Sequence, residues 1–379
     1  MPELAQHIAT VPASGIRRVF EAAHQLPDVI MLAIGEPDVE PAPHIGAAAK
    51  RAWDEGFLDY TPNGGILPFR QAVVDKLKAY NGLQVDIEQV WSTIGATQAL
   101  YQAQGLVLDP GDQILVPDPG YTTFTMAARM HAAEPVRYAL RPERGFLPSL
   151  DELETLVTDR TRAILINTPS NPLGVVFPER TLRDILAFAK RHDLWVISDE
   201  VYEYFVYDQP HRSVASLDDD DRVLSVFSLS KTYAMTGIRA GYLVTPPGLT
   251  EEMRRVQEGS ISCINAPAQF AAIAALTGPQ DAVTAAAAHY RDNITQATAL
   301  LRERGIGHHE PEGAFYLWVD VSHASGGDVL DWAERFVREQ RVAVAPGSAF
   351  GRSGEGWIRV CAASPTDQLL EGLGRLPRP

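Results

Sequence analysis

The sequence predicts an α/β fold, with a large domain built on a mainly parallel sheet flanked by helices and a smaller α/β domain. Short, almost continuously apolar runs suit strands that are buried on both faces. Helical segments with one apolar face alternate with these runs. The chain has 379 residues, and at roughly 100–200 residues per domain this length favours two domains.

The apolar runs recur through the middle of the chain and end in polar residues. Between them, Thr181–Arg191 repeats its apolar residues largely along one helical face,. Strand and helix signals that alternate in this way predict a large domain over residues 46–274. The runs are Val90–Ile94, Gln113–Val116, Ala163–Ile166, Leu194–Ile197, Val223–Phe227 and Ala240–Val244.

The two ends of the chain have a different texture. Residues 1–45 contain several prolines and glycines, so we expect this N-terminal segment to be extended and to pack across the domains. Residues 275–379 combine long helical patterns with short strands, which predicts the smaller domain. The patterns are helical at Val283–Arg304 and Asp328–Glu339 and strand-like at Phe315–Val319 and Trp357–Val360.

Charge and composition argue against several functions. Asp and Glu number 48 against 33 Lys and Arg, so no global basic field attracts nucleic acid. No stretch approaches the ~18 apolar residues of a membrane span, and Met1–Phe20 lacks the apolar core of a signal peptide. The two cysteines cannot form a disulfide framework,. We therefore expect a cytoplasmic protein without nucleic-acid or membrane partners, and the scattered histidines predict no metal site.

Polar side chains follow three of the apolar runs. Asn171, Asp199 and Lys231 each come shortly after a run. Ligands of parallel sheets bind at the carboxyl ends of the strands, so these side chains are expected to converge. A lysine directly after a buried strand loses hydration, which lowers its pKa and makes it a candidate nucleophile.

The segment around Lys231 resembles the pyridoxal-phosphate attachment motif of the class I and II aminotransferases. Ser228 and Ser230 flank the lysine, and Arg239 follows eight residues after it, where this family has its phosphate-binding arginine. These hydroxyls and the guanidinium fork can give a phosphate dianion charge-assisted hydrogen bonds. The resemblance implies the fold type I architecture of the aspartate aminotransferase family, pyridoxal 5'-phosphate as cofactor and Lys231 as the Schiff-base lysine.

The resemblance continues at a strand-to-helix turn. Gly95, Ala96 and Thr97 open a helix after Val90–Ile94. The free backbone N–H groups of a helix N-terminus form a natural phosphate site, and the family anchors its cofactor phosphate at this place. Alone, such a turn would be only a connection between two elements.

Four further positions match residues that contact the cofactor ring in the family. Asp199 matches the carboxylate that pairs with the pyridine nitrogen, and Tyr202 and Asn171 match the side chains that share the phenolic oxygen. Tyr121 matches the aromatic residue that stacks on the ring. Singly, Asp199 would be read as a helix N-cap and Asn171 as an Asn-Pro turn. Together they imply that Lys231, Asp199 and Tyr202 are catalytic.

The resemblance also implies the substrate contacts and the assembly. Arg359 matches the arginine that binds the substrate α-carboxylate through a bidentate pair. Gly35 lies in the segment whose backbone closes over the substrate, and Asn171 is a further expected substrate contact. Tyr60 matches the tyrosine that reaches the cofactor phosphate of the neighbouring subunit. A homodimer with shared active sites follows, and residues 1–45 would also pack against the dimer partner.

The function implied is a transaminase that moves an amino group from an L-amino acid to a 2-oxo acid by ping-pong chemistry. Two alternatives remain open. A β-eliminating lyase on the same fold would share the cofactor site and differ only in the fate of the carbanion. A non-catalytic regulatory protein would have kept only the fold, which the combination of Lys231, Asp199 and Arg239 argues against.

The identity of the amino donor depends on cations near the substrate. Thr97 is neutral where aspartate-preferring members of this subgroup often have Lys, and Ser260–Pro267 contains no Lys or Arg. A buried carboxylate without a cation costs several kcal/mol. We therefore expect a neutral donor, aliphatic or aromatic. Arg17 and Arg18, on the N-terminal segment, are the residues able to supply a cation for an acidic acceptor.

Overall fold

The secondary structure follows the alternation that the sequence predicts. The computed structural model describes residue 3 and residues 5–379. Its strands are β1 Ile30–Met31, β2 Val90–Thr93, β3 Gln113–Asp118, β4 Glu134–Ala139, β5 Thr161–Asn167, β6 Trp195–Asp199, β7 Val223–Ser228, β8 Gly241–Val244, β9 His308–His309, β10 Tyr316–Asp320, β11 Val342–Ala343, β12 Ala345–Pro346 and β13 Trp357–Cys361.

The helices fill the intervals between these strands. They are α1 Gly15–His24, α2 Pro43–Asp54, α3 Leu67–Lys76, α4 Gly95–Val107, α5 Thr122–Met130, α6 Leu150–Leu156, α7 Glu179–Arg191, α8 Leu229–Thr232, α9 Thr250–Ser260, α10 Ala266–Thr277, α11 Asp281–Glu303, α12 Ser322–Ser325, α13 Val329–Gln340 and α14 Thr366–Gly374. Shorter 3-10 turns occur at Gln6–Thr10, Ile87–Gln89, Pro142–Arg144, Val214–Leu217, Gly347–Phe350 and Arg352–Gly354, with a π-helical turn at Leu77–Asn81.

A seven-stranded sheet of order β2-β8-β7-β6-β5-β3-β4 forms the centre of the larger unit. β8 is antiparallel to both neighbours, and the remaining pairs are parallel. Along β5, Ile164 and Ile166 join one buried cluster, whereas Ala163 and Leu165 join the cluster on the opposite face. Both faces are covered, so the continuous apolar runs have their expected cause. The prediction of a mainly parallel sheet flanked by helices is confirmed.

The second unit is a four-stranded antiparallel sheet of order β12-β13-β10-β9. One face packs against α11, α13 and α14 through residues such as Trp332 and Phe336. Trp318, on β10, belongs instead to a cluster shared with the larger unit. A second, smaller α/β unit therefore exists, while the exact boundaries at 46–274 and 275–379 remain predictions.

The expectation that residues 1–45 are extended is wrong in one respect, because Gly15–His24 forms α1. Ile16, Val19, Phe20 and Ala23 recur at the spacing of one helical face,, and Val19 and Ala23 are buried against the second unit. The prolines and glycines of the segment do not interrupt this helix, because they lie outside it or at its start. Residues 1, 2 and 4 of the segment lie outside the described residues.

Two features are absent from residue 3 and residues 5–379. No helix there combines the length and the apolarity needed to cross a membrane. No group of three or more His, Cys, Asp or Glu side chains there is arranged to hold a metal ion.

Candidate active site

A cavity of about 550 Å³ lies at the carboxyl ends of the central strands, within the ~300–1,000 Å³ usual for ligand sites. The register pairs Asn167 with Asp199 and Asp199 with Val226, so the polar residues that follow these strands come together. The predicted site residues that line the cavity are Gly35, Ala96, Thr97, Tyr121, Asn171, Asp199, Tyr202, Ser228, Ser230, Lys231, Arg239 and Arg359. Gly95 and Tyr60 are not among its lining residues.

Lys231 lies on the short helix α8, immediately after β7. The Ser228 hydroxyl caps this helix by accepting a hydrogen bond from the Ser230 N–H at 3.1 Å. The Lys231 Nζ donates to the Gly35 carbonyl at 2.6 Å. Burial lowers the pKa of Lys231 to about 8, so a useful fraction of the amine is neutral near physiological pH. A neutral amine in a cavity is a competent nucleophile.

Asp199 ends β6 and is only 3% exposed. Burial raises the pKa of this carboxyl to about 7, against the opposing effects of the Val201 N–H and the Lys231 charge. The Val201 N–H donates to Oδ1 at 3.3 Å, and no Lys or Arg of the described chain forms an ion pair with it. A buried carboxyl without a counter-ion fits a cationic ligand group better than a purely structural role.

Asn167 and Asn171 join the strand ends to the second unit. The Asn167 side chain accepts from the Asn171 N–H at 2.7 Å and donates to the Asp199 carbonyl at 3.0 Å. Asn171 Oδ1 in turn accepts from Arg359 Nη1 at 2.9 Å. The Asn-Pro turn is therefore held by side-chain hydrogen bonds that also orient the Asn171 amide towards the cavity.

Arg359, on β13, is a buried cation with no carboxylate partner in the described part of the chain. It donates to Asn171 and, at 2.6 Å, to the Ala33 carbonyl, and its guanidinium lies 4.4 Å from the Tyr316 ring centroid. Its buried Nε has no hydrogen-bond partner among the described residues. A buried guanidinium that is only partly satisfied requires an anion to offset its desolvation.

Tyr202 meets a residue that the sequence reasoning did not single out. Its hydroxyl lies 2.7 Å from the Tyr316 hydroxyl, and burial raises the pKa of Tyr202 well above its usual value. A Cβ at Gly35 would collide with the Tyr316 hydroxyl. Glycine at position 35 thus allows the backbone carbonyl that accepts from Lys231 to pass close to this tyrosine pair.

The N-terminus of α4 and Arg239 form a cradle for an anion. Gly95 has φ +69°, and a Cβ there would lie 2.6 Å from Arg239 Nη2. Arg239, itself at φ +61°, donates to the backbone carbonyls of Thr236 and Ile94, at 2.8 and 3.3 Å. Gly95 does not line the cavity, but it admits the guanidinium beside Ala96, whose first-turn N–H is free for an anion.

Two predicted aromatic residues have different surroundings. Tyr121 is the N-cap residue of α5 and lines the cavity, and its ring is edge-on to that of Phe124, with the ring centroids 5.8 Å apart. Tyr60 is 94% exposed and lies away from the cavity of its own chain. The structure of one chain therefore brings together the other predicted site residues but not Tyr60.

Sequence reasoning missed three contributors. Tyr316 contacts Tyr202 and Arg359, the Ala33 carbonyl accepts from Arg359, and the Thr236 carbonyl accepts from Arg239. A signal was available only for Tyr316, since its predicted strand is a natural partner of the strand that carries Arg359. The other two act through backbone atoms, so their side chains gave no signal.

The fold and the cavity together define a pyridoxal-phosphate enzyme. A lysine amine suits the cofactor aldehyde, a buried carboxyl suits the ring nitrogen, and the cradle at the N-terminus of α4 suits the phosphate. The chain belongs to the class I and II aminotransferases, because the model of the family "Aminotransferase class I and II" matches residues 27–375. It is a pyridoxal-phosphate-dependent aminotransferase.

Similar proteins support the same assignment over the full chain. An aromatic-amino-acid aminotransferase 2 of Thermococcus litoralis is 37% identical, over 99% of this chain and 97% of that protein. An aspartate aminotransferase of Pyrococcus horikoshii is 36% identical, over 99% of this chain and 96% of that protein. A solved single mutant of Thermus thermophilus aspartate aminotransferase has a TM-score of 0.93 at 32% identity, covering 99% of both chains. None of these relatives supports the lyase alternative.

Proposed function

We propose that this enzyme transfers the amino group of an L-amino acid to a 2-oxo acid by ping-pong chemistry, with Lys231 as its covalent residue. The observation that carries the proposal is one cavity that combines the low-pKa amine of Lys231, the buried carboxyl of Asp199 and the buried guanidinium of Arg359, which has no carboxylate partner among the described residues. Each of these groups suits one need of the reaction, namely a nucleophile, a partner for the protonated ring nitrogen of the cofactor and a receptor for the substrate carboxylate.

The roles of the phosphate-binding groups follow from the cradle. Arg239 provides a guanidinium fork, and Ser228 and Ser230 provide hydroxyls next to Lys231,. The backbone N–H groups of Gly95, Ala96 and Thr97 lie in the first turn of α4, where the helix dipole favours an anion,. Together these groups would hold the phosphate independently of a bond to Lys231.

The roles of the residues around the ring and the substrate complete the proposal. When bound, the cofactor supplies an aldehyde and an electron sink. Asp199 would keep a proton on the ring nitrogen, Tyr202 and Asn171 would bind the phenolic oxygen, and Tyr121 would pack on the ring. Arg359 binds the substrate α-carboxylate. With the substrate amine bound, the neutral Lys231 Nζ would be the base that takes the proton from the substrate Cα and the acid that returns it.

A half-reaction tests transamination against elimination. Purified holoenzyme, mixed with an amino donor and no 2-oxo acid, should form about one equivalent of 2-oxo acid and then stop, leaving the cofactor in its amino form. Turnover should resume when a 2-oxo acid is added. The measurements are cofactor absorbance, 2-oxo acid and free ammonia. Continued ammonia release without an acceptor would instead identify a lyase.

We infer that two copies of this chain form a homodimer with shared active sites. The support is a set of large apolar side chains that are exposed within residues 53–67 of the single chain. They include Trp53 at 64%, Leu58 at 53% and Leu67 at 65% exposure, together with Tyr60 at 94%. Exposed apolar groups that lie this close in sequence are typical of a protein interface, and Tyr60 is the residue expected to reach the partner's cofactor phosphate.

Subunit complementation tests the shared site. Tyr60→Phe should weaken cofactor binding by about 2- to 10-fold, the worth of one hydrogen bond. A heterodimer of Tyr60→Phe with Lys231→Ala should then contain one site with both defects and one wild-type site. Mixed subunits should therefore recover about half of the wild-type activity per dimer at limiting cofactor, an estimate that assumes independent sites. A mixed dimer whose activity at limiting cofactor is no higher than half that of the Tyr60→Phe homodimer, or a monomer in sedimentation, contradicts the proposal.

We also propose that the enzyme works in the cytoplasm. The support is cysteine usage, because Cys263 and Cys361 are both free thiols and Cys361 is buried. Free, buried thiols suit a reducing compartment. Fractionation of the source cells with an antibody against the protein tests this assignment.

A further inference from the structure

We propose that Arg17 is a movable cation that pairs with the distal carboxylate of a dicarboxylic 2-oxo acid. One pocket would then accept both a neutral amino donor and an acidic acceptor. The inference rests on the proposed transamination, because it names the substrate class that the same cavity takes in the second half-reaction.

The outer wall of the cavity is formed by two helices that contribute mostly uncharged groups. From α1 come Ile16 and Phe20, and from α4 come Thr97 and Leu100. Such a wall accommodates an aliphatic or aromatic side chain and offers no ion pair to a second carboxylate. Arg17 lies on the α1 side of this wall and lines the cavity with them.

The other cations of the cavity already have tasks under the proposed function. Lys231 forms the covalent bond, Arg239 lies at the phosphate cradle, and Arg359 faces the α-carboxylate position beside Asn171. Among the cavity-lining residues that the structure describes, Arg17 is the cation that remains. A dicarboxylate needs a positive partner for its far end, since burying that charge unpaired is costly.

Arg17 is also free to move. Its side chain is 78% exposed, and its ion pair is with Glu21 at 3.1 Å, one turn along the same helix. Exposed pairs of this kind contribute little stability, so exchanging Glu21 for a ligand carboxylate loses little. The guanidinium can turn towards a dicarboxylate, and it can return to Glu21 when an apolar side chain occupies the wall.

Arg18 provides a matched control one residue away. It forms an ion pair with Glu334 of α13 at 2.6 Å, and the Glu334 side chain is only 13% exposed. Arg18 is not among the cavity-lining residues. The two arginines share a helix, a charge and a neighbourhood, but only Arg17 borders the site.

The test compares Arg17→Ala, Arg18→Ala and Glu21→Gln holoenzymes. We expect Arg17→Ala to lower the ratio of kcat/KM for 2-oxoglutarate to kcat/KM for a neutral 2-oxo acid by about 10- to 100-fold, the worth of a charge-assisted hydrogen bond. Glutarate, an unreactive dicarboxylate, should lose calorimetric affinity to a similar degree, and Arg17→Lys should restore part of it. Arg18→Ala should change neither quantity, and Glu21→Gln should strengthen glutarate binding by about 2-fold.

Two outcomes would overturn the inference. One is an unchanged substrate ratio and unchanged glutarate binding in Arg17→Ala, and the other is an equal loss in Arg17→Ala and Arg18→Ala. Failure of the proposed function is distinguishable from both, because it would appear as no amino transfer with any substrate pair in the wild-type holoenzyme. Glutarate binding would still test Arg17 in that case.

Discussion

Replacing Lys231 by alanine should abolish turnover and leave a folded protein that still binds its cofactor. Under the proposed function, the variant loses both the covalent partner of the cofactor and the amine that moves the proton. General acid–base catalysis alone contributes about 10²- to 10⁴-fold, and loss of the nucleophile adds to this. We therefore expect kcat to fall by more than about 10⁴-fold.

The structure also explains why the cofactor should stay. Arg239 and the first turn of α4 are anchored independently of Lys231, through hydrogen bonds to the Thr236 and Ile94 carbonyls. The visible absorbance of the lysine–cofactor linkage should vanish, while dialysed protein should retain cofactor at reduced affinity. Steady-state kinetics, absorbance and circular dichroism are the measurements.

A surface lysine provides the control for this experiment. Lys190 is half-exposed and pairs with Asp219 at 3.2 Å, so Lys190→Ala should leave both the activity and the spectrum unchanged. Wild-type activity in Lys231→Ala would refute the central assignment. Loss of the folded circular-dichroism signal would require the test to be repeated with Lys231→Gln.

The central sheet could be predicted because its strands are buried on both faces. Leu194–Ile197 has almost no polar residue and cannot be confused with a surface element, and the structure has β6 from Trp195 to Asp199. The helix α1 is not predicted from the sequence. Its apolar spacing is present, but Pro12 and Pro27 favour an extended segment. Breakers limit where a helix ends, and they do not exclude one between them.

The site was predictable where a side chain follows a strand, and not where distant backbone completes it. Asp199 ends β6 and Lys231 comes shortly after the neighbouring strand β7, so sheet geometry alone brings them together. The Ala33 carbonyl that accepts from Arg359 is 326 residues away in sequence, and no local pattern announces such a contact. Ser260–Pro267, suspected of facing the substrate, does not line the cavity of its own chain.

The two adjacent arginines illustrate a further limit of sequence reasoning. In an extended segment, Arg17 and Arg18 would be equivalent candidates for the cation that pairs with an acidic acceptor. In a helix, successive residues point about 100° apart, so one of them borders the cavity and the other meets Glu334. The distinction therefore required the secondary structure of the segment, and not only its composition.

Replacing Asp199 should lower kcat by several orders of magnitude, weaken cofactor binding and leave the fold intact. Because burial raises the pKa of this carboxyl to about 7, only a cationic group beside it keeps it fully ionised at neutral pH. Under the proposed function the protonated ring nitrogen would be that group, and the carboxylate would in turn keep the proton in place. Asp199→Asn has nearly the same size and cannot carry the charge, so it should lose about as much kcat as Asp199→Ala.

Tyr202→Phe is the control for the Asp199 variants, because it removes one hydrogen bond and no charge. It removes one hydroxyl, worth about 0.5–1.5 kcal/mol or roughly 2- to 10-fold, and leaves the ring packed edge-on against Phe315 and Tyr316. Asn167 binds the Asp199 backbone carbonyl at 3.0 Å, so the Asp199 variants should keep the strand end in place. Kinetics and cofactor titration of the three variants decide the matter. Equal losses in Asp199→Asn and Tyr202→Phe would mean that the carboxylate is one hydrogen-bond partner among several and does not hold the proton on which the electron sink depends.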